Sequence, residues 1–483
     1  MTRTFHSTLI ALALAGIASC APASHSATDP DAVVGSSDGG GDGGDVHRPF
    51  TLDGGEETGG DIPTSPASWE VLPALYPEGE ALSPITPVVA ERIQAISQVD
   101  FELASDVFMK VGASSTVSTH FLTCLAGDAV ELGDSGAWEE ARQFYANGDA
   151  AGVSPFERET LAAKVGVSAN WAISGDPSPL DVEILSISPT VAFVHLGTND
   201  MQLGTTYQSA MWGFGANLME LVDTLIAQGI VPVLSTLAPR QDMADAALWV
   251  PSYAAVTRGV AQARQVPVMD LHAALEDLPG QGLAGDGVHL NKYVEEGSAR
   301  PCVFTEQGLH FGHNVRNRLH LGALHAMKRV IADQESGWEE ADVLSGDGSA
   351  ASPFQIPGLP YTDLHDTNAS PHRVIDVYGG CDAAQDESGP EYLYRLEVAE
   401  PTHVRAMVHA LWGADVDVHV LDASASGEGC IARGHRIVQG PLEAGTYHFA
   451  LDTFVGGGEE LSGEYLFTLV ECVEGDPQCE SWE

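Results

Sequence analysis

The chain has 483 residues, 44% of them hydrophobic, enough for two or three domains each with its own core. Its 68 acidic residues outnumber 21 basic ones, for a formal charge of −47. A field of that sign repels polyanions and argues against nucleic acid or an anionic membrane surface as partner.

The first twenty residues, MTRTFHSTLIALALAGIASC, set a basic Arg3 before an apolar run from Leu9 to Ile17 and end in small residues at Cys20. The run is too short to cross about 30 Å of hydrocarbon, so residues 1–20 read as a secretion signal. Its end, Ile17-Ala18-Ser19-Cys20, resembles the bacterial lipoprotein box. That resemblance implies a lipid on Cys20, membrane attachment through it, and a cell-envelope location, periplasmic or surface-exposed. Residues 21–68 are rich in Gly, Asp, Ser and Pro, too poor in apolar groups to fold, and read as a disordered tether. The G-x-S-x-G match at Gly35–Gly39 falls in this tether, without the strand and helix that give the motif meaning.

Over residues 69–335 short apolar runs alternate with longer amphipathic ones. Strands are expected at Asp106–Val111, Thr190–Leu196, Ile230–Leu237 and Val266–Leu271, with helices at Ser209–Gln228, Tyr253–Arg264 and Val315–Ala332. Almost continuously apolar strands belong to a parallel sheet covered on both faces. The expected fold class is α/β, a three-layer α/β/α sandwich whose site lies at the carboxyl ends of the strands. Residues 336–365 read as a linker. From 366 to 475, runs such as EYLYRLEV, VDVHVLD and GTYHFALDTF alternate at short spacing, as in an all-β antiparallel sandwich, and 476–483 read as a tail. Asp415–Val418, LEAGTYHFALDT and GEYLFTLVE make this region resemble the bacterial prepeptidase C-terminal domain, an accessory module of secreted hydrolases.

With Cys20 lipidated, six cysteines remain, an even number in an oxidising compartment. Cys124 and Cys302, in the middle of the chain, are expected to pair with each other. Cys381, Cys430, Cys472 and Cys479 pair among themselves, with three connectivities open. None has the C-x-x-C spacing of a structural zinc site.

Four motifs in the middle region occur in an informative order. Gly112-Ala113-Ser114 follows a strand; NWAISGD contains Gly175; Gly197-Thr198-Asn199-Asp200 ends the most apolar strand; and Asp286 and His289 stand three residues apart in GDGVHLN. A serine hydroxyl is a weak nucleophile until imidazole takes its proton, and the imidazole needs an acceptor on its other nitrogen. The oxyanion formed by attack needs donors, which the backbone N–H of Ser114 and Gly175 and the Asn199 amide offer. Together the motifs, over roughly residues 100–330, resemble the SGNH or GDSL-type hydrolases. The resemblance implies a carboxylic ester hydrolase with Ser114 as nucleophile, His289 as base, Asp286 as its orienter, and Ser114, Gly175 and Asn199 as the oxyanion hole. It implies no metal and no cofactor. The substrate would be a small-molecule, glycan or lipid ester.

The first block departs from the family, since Ala113 stands where an aspartate is usual. The literal Gly-Asp-Ser lies at Gly133-Asp134-Ser135, so Ser135 is a second candidate; a catalytically inactive binding lipoprotein on the same scaffold is the third reading. His310 and His313 have ligand-like spacing but no completing carboxylate or cysteine. His120 and His195 read as packing or capping residues, and Asp415, Asp417 and Asp422 as a solvated strand face and turn, with a calcium site in the β-sandwich as the alternative. Oligomeric state is not legible.

Overall fold

The computed structural model describes residues 73–77, 79–383 and 385–482; the signal, Cys20 and the Gly35–Gly39 motif lie outside these residues. Strands β1 (Ala104–Gly112), β2 (Pro189–His195), β3 (Val231–Ser235) and β4 (Val268–Met269) form a parallel sheet in chain order. All residues of β2 and β3 are buried, as expected for strands with helices on both faces. β4 is shorter than the apolar run Val266–Leu271 suggests. Asp270 leaves the strand to accept from Ala273 N and cap the next helix, and its other oxygen pairs with Arg258.

The helices are α1 (Pro87–Ser97), α2 (Ser114–Val117), α3 (Glu139–Ala146), α4 (Ala169–Ile173), α5 (Pro179–Ile187), α6 (Tyr207–Ala227), α7 (Ala244–Arg264), α8 (Leu271–Glu276) and α9 (Gly312–Met327). α7 starts nine residues before the Tyr253 that the sequence pattern suggests. Every residue from Ser252 to Arg264 is buried, because α7 also packs against strands of the second half of the chain. A helix covered on all sides carries no apolar stripe, so the 3.6-residue period that marks helices is absent.

A two-residue hairpin follows, β5 (Val294–Glu295) with β6 (Ser298–Ala299). The remaining strands are β7 (Phe354–Ile356), β8 (Tyr361–Asp366), β9 (Glu391–Val398), β10 (Thr402–Ala410), β11 (Val416–Leu421), β12 (Cys430–Gly434), β13 (Ile437–Leu442), β14 (Gly445–Thr453), the short pair β15 (Val455–Gly456) and β16 (Glu459–Glu460), and β17 (Glu464–Glu471). Apart from the β15–β16 pair, they build two facing sheets of order β13-β10-β17-β8 and β12-β11-β14-β9-β7, antiparallel except where β7 runs beside β9.

Two boundaries need correction. Residues 336–365 are not a linker: β7 and most of β8 are strands of the sandwich, and Trp338 N donates to Ile85 O of the first half. Residues 476–483 are not a loose tail either. The carboxylate of Asp476 accepts from Arg405 at 2.6 Å with both side chains buried, and Cys479 is disulfide-bonded to Cys472. Cys381 pairs with Cys430, and Cys124 with Cys302. Met407, Leu466 and Val470 of the sandwich join the same buried cluster as Val191 and Val233 of the parallel sheet. The β-sandwich is therefore packed onto the α/β half rather than tethered to it.

Arg405 also stacks on Trp249 of α7, 3.8 Å from the ring centroid, so it ties the two halves. Asp476→Ala would strand this buried cation and is expected to cost about 3–5 kcal/mol. The loss would be read as a lowered urea midpoint at unchanged slope.

Candidate active site

β1 delivers its last residues to the carboxyl edge of the sheet, where Gly112 pairs with His195 of β2. A Cβ on Gly112 would lie 2.2 Å from Thr116 Oγ1 and 2.8 Å from His195 O, so glycine is required where the chain turns into α2. Ser114 opens α2, and its N–H is one of the donors that a helix start leaves without an intrahelical partner.

The loop carrying Asp286 and His289 meets this turn. His289 Nε2 lies 2.9 Å from Ser114 Oγ, and His289 Nδ1 lies 2.7 Å from Asp286 Oδ2. Asp286 Oδ1 accepts the backbone N–H groups of Val288 and His289, both at 3.0 Å. Those bonds, first the His289 N–H, then the imidazole, then the Val288 N–H, hold the Asp286 carboxyl down at about 2. The carboxylate thus stays ionised across the whole range in which imidazole can act as a base.

Ser135, the literal Gly-Asp-Ser serine, is 2% exposed and its Oγ accepts from Arg318 Nε at 3.0 Å, in a 3-10 turn. No histidine approaches it among the described hydrogen bonds. GDAVEL before it forms no strand; Glu131 makes only a single bridge, to Val303.

Asn199 follows β2 and its amide donates to Val167 O at 2.9 Å. The Val167 loop comes directly after Ala162–Lys164, which pairs with Gly112 on the free side of β1. Asn199 is therefore held near the serine turn. Gly175 lies beyond α4, exposed, and the nearest atoms to a Cβ there belong to Pro177 and Ser178 of its own turn. The letters Ser-Gly-Asp fit the motif, but the loop that Asn199 contacts is at 166–168.

Two residues that the sequence did not mark organise the site. Arg316 of α9 is fully buried and donates to Ser115 O at 2.7 Å and Thr116 Oγ1 at 3.3 Å while stacking on Phe121. It fixes the serine turn from behind, where Ala113 has no side chain to do so. Arg240, after β3, donates to Thr198 O and pairs with Asp242, whose loop neighbour Gln241 donates to Gly287 O. It links the Asn199 loop to the Asp286 loop. Arg316→Met is expected to lower kcat by up to roughly 100-fold through loss of alignment, with KM nearly unchanged. Steady-state kinetics on a chromogenic ester separates the two.

An open cleft of about 590 Å³ lies over Ser114 and His289, lined also by Ser118, His120, Leu290, Lys292, Val294 and His313. His313 is buried, and burial together with the Arg316 charge pushes it down to about 3, so it faces the cleft as neutral imidazole. Its ring lies 5.4 Å from that of His120. His310 is exposed, and the two do not join a metal-ligand cluster among the described residues. His195 is packed, its Nδ1 3.2 Å from Ser235 Oγ.

This architecture, a serine–histidine–aspartate array at the carboxyl edge of a parallel α/β sheet, is that of a serine hydrolase. Residues 132–294 match the model of the GDSL-like Lipase/Acylhydrolase family. Over those residues the chain thus carries a GDSL-like lipase/acylhydrolase domain, and it is an ester hydrolase. The match begins at Leu132, at the literal Gly-Asp-Ser, and leaves Ser114 outside it. We follow the geometry, because a nucleophile must reach its base and only Ser114 lies within hydrogen-bond distance of His289.

Among solved structures, a GDSL-like lipase from Bacteroides thetaiotaomicron is similar at 13% identity over 49% of this chain and 97% of that chain, TM-score 0.29. A two-domain esterase active on acetylated mannans aligns at 10% identity over 82% of this chain and 93% of that one, TM-score 0.30. The pre-peptidase C-terminal domain of a Bacillus anthracis collagenase aligns at 14% over 24% of this chain and 91% of that one, TM-score 0.17. No curated protein matches the chain.

Proposed function

We propose that the protein is an envelope-anchored serine esterase that cleaves carboxylic esters through an acyl-enzyme on Ser114. The observation that carries this reading is the unbroken chain of contacts Ser114 Oγ to His289 Nε2 at 2.9 Å and His289 Nδ1 to Asp286 Oδ2 at 2.7 Å. His289 takes the hydroxyl proton as Ser114 attacks the carbonyl carbon, then gives it to the departing alcohol. Water, deprotonated by the same imidazole, releases the acid and restores the serine. The Ser114 N–H and the Asn199 amide receive the oxyanion. Gly175 has no part in this.

The substrate we favour is an O-acyl group on carbohydrate, with lipid esters second. The cleft is open, and Ser118, His120 and Asn291 in its lining offer hydrogen bonds to the hydroxyls of an acylated sugar. Attachment to the envelope would be through a lipid on Cys20. A fluorophosphonate probe should label the purified wild-type protein on Ser114, located by mass spectrometry, with turnover of p-nitrophenyl acetate. Inertness to a broad ester panel together with no labelled serine would leave the binding-lipoprotein reading.

A further inference from the structure

β11 is buried along its whole length, although only one of its faces belongs to the sandwich core. Val416, Val418 and Val420 enter that core, so Asp417 and His419 lie on the opposite face by the two-residue period of a strand. That face is covered by the segment leading into β9. Tyr378 stacks flat on His419, with ring centroids 3.5 Å apart and planes at 8°. Asp417 is therefore not part of a solvated strand face, whereas Asp422 is, capping its own turn through Ser424 N.

Into the same space points Glu387, which is fully buried; no donor group reaches either of its carboxylate oxygens, and the polar groups beside it are the Asp417 carboxyl and His419. Neither ring nitrogen of His419 has a hydrogen-bond partner, and the approach of His419 Nε2 to Glu387 Oε1, at 3.9 Å, is too long for one. Unsatisfied buried groups of this kind are costly and call for a missing partner. Asp417 Oδ2 is held by Arg433 at 2.7 Å and Oδ1 by His435 Nδ1 at 3.0 Å, and His435 also reaches Asp415 Oδ1 at 3.1 Å. One guanidinium thus faces three carboxylates. Ligand atoms of Glu387, Asp417 and His419 all lie within 4.8 Å of one another. The sulfurs of Cys381 and Cys430 are also near His419, but they are tied in a disulfide and are not thiolate ligands.

We propose that Glu387, Asp417 and His419 form a binding site for one divalent transition-metal ion of the zinc type. An imidazole nitrogen with two carboxylate oxygens suits zinc, whereas calcium and magnesium take oxygen ligands throughout. Two of the three ligands, Glu387 and His419, receive no hydrogen bond from the protein. The ion supplies the positive charge that three carboxylates and one arginine lack. It fastens the 371–390 segment to β11, so that binding energy becomes stability of the β-sandwich. The site is remote in sequence from Ser114 and His289 and independent of the esterase reading.

The test uses the untagged full chain, stripped with chelator and dialysed against Zn²⁺. One zinc per chain by elemental mass spectrometry and a raised Tm are expected, with affinity falling at least about tenfold in Glu387→Gln and in His419→Phe. His419→Phe keeps a ring against Tyr378, and unchanged near-ultraviolet circular dichroism and ester turnover would show that both variants fold. A folded wild-type protein that retains no zinc overturns the proposal. So does zinc binding that both substitutions leave unchanged.

Discussion

Ser114→Ala is expected to lower kcat on p-nitrophenyl acetate by roughly 10⁴- to 10⁶-fold and to abolish fluorophosphonate labelling, while Ser135→Ala stays within a few-fold of wild type. The contrast follows from the surroundings of the two hydroxyls. Ser114 Oγ has an imidazole nitrogen at 2.9 Å beside an open cleft. Ser135 Oγ is buried against Arg318, so its loss removes one hydrogen bond and about 1 kcal/mol of stability, visible in a urea titration and not in turnover. Full activity in Ser114→Ala, or loss of activity without unfolding in Ser135→Ala, would return the literal Gly-Asp-Ser to the centre.

The second large effect is expected from Asp286→Asn, roughly 10⁴-fold in kcat with little change in fold. Asparagine can still accept the Val288 and His289 N–H groups through its carbonyl oxygen. Its amide, however, would face His289 Nδ1 as a donor, leaving that nitrogen to accept and moving the imidazole proton to Nε2. There it can no longer take the proton of Ser114. The acid side of the pH profile follows with its sign: Asp286 is held down at about 2, so it keeps its charge as pH falls and does not cause acid inactivation above that value. In Asp286→Asn, raising the pH should not restore the rate, since the fault is the tautomer rather than the charge.

How much of this was legible beforehand depended on whether a feature is local. β1, β2 and β3 were visible because strands buried on both faces are almost continuously apolar. Asp286 and His289 were visible because three residues on one loop bring their side chains together. β7 and β8 were missed, since FQI and YTDLHD are short and polar and gain their place only by pairing with β9 and β17. The motif around Gly175 spells residues and not the strand pairing, here Ala163 beside Gly112, that brings the 166–168 loop beside the serine turn.

Sequence alone determined the fold class, the order of the motifs and the Asp286–His289 pair, for these rest on periodicity and short spacing. It also held the even count of cysteines, but three connectivities were equal until Cys381 met Cys430 and Cys472 met Cys479 in space. Only the tertiary structure sets the surroundings of Ser114 and Ser135 apart, because a hydroxyl is fit to be a nucleophile or a buried partner according to what lies within 3 Å of it. It alone supplied Arg316 and Arg240, two arginines far in sequence from the groups they hold, and the buried Glu387 beside His419. Such contacts join residues separated by tens to hundreds of positions, a distance that no local pattern in the chain records.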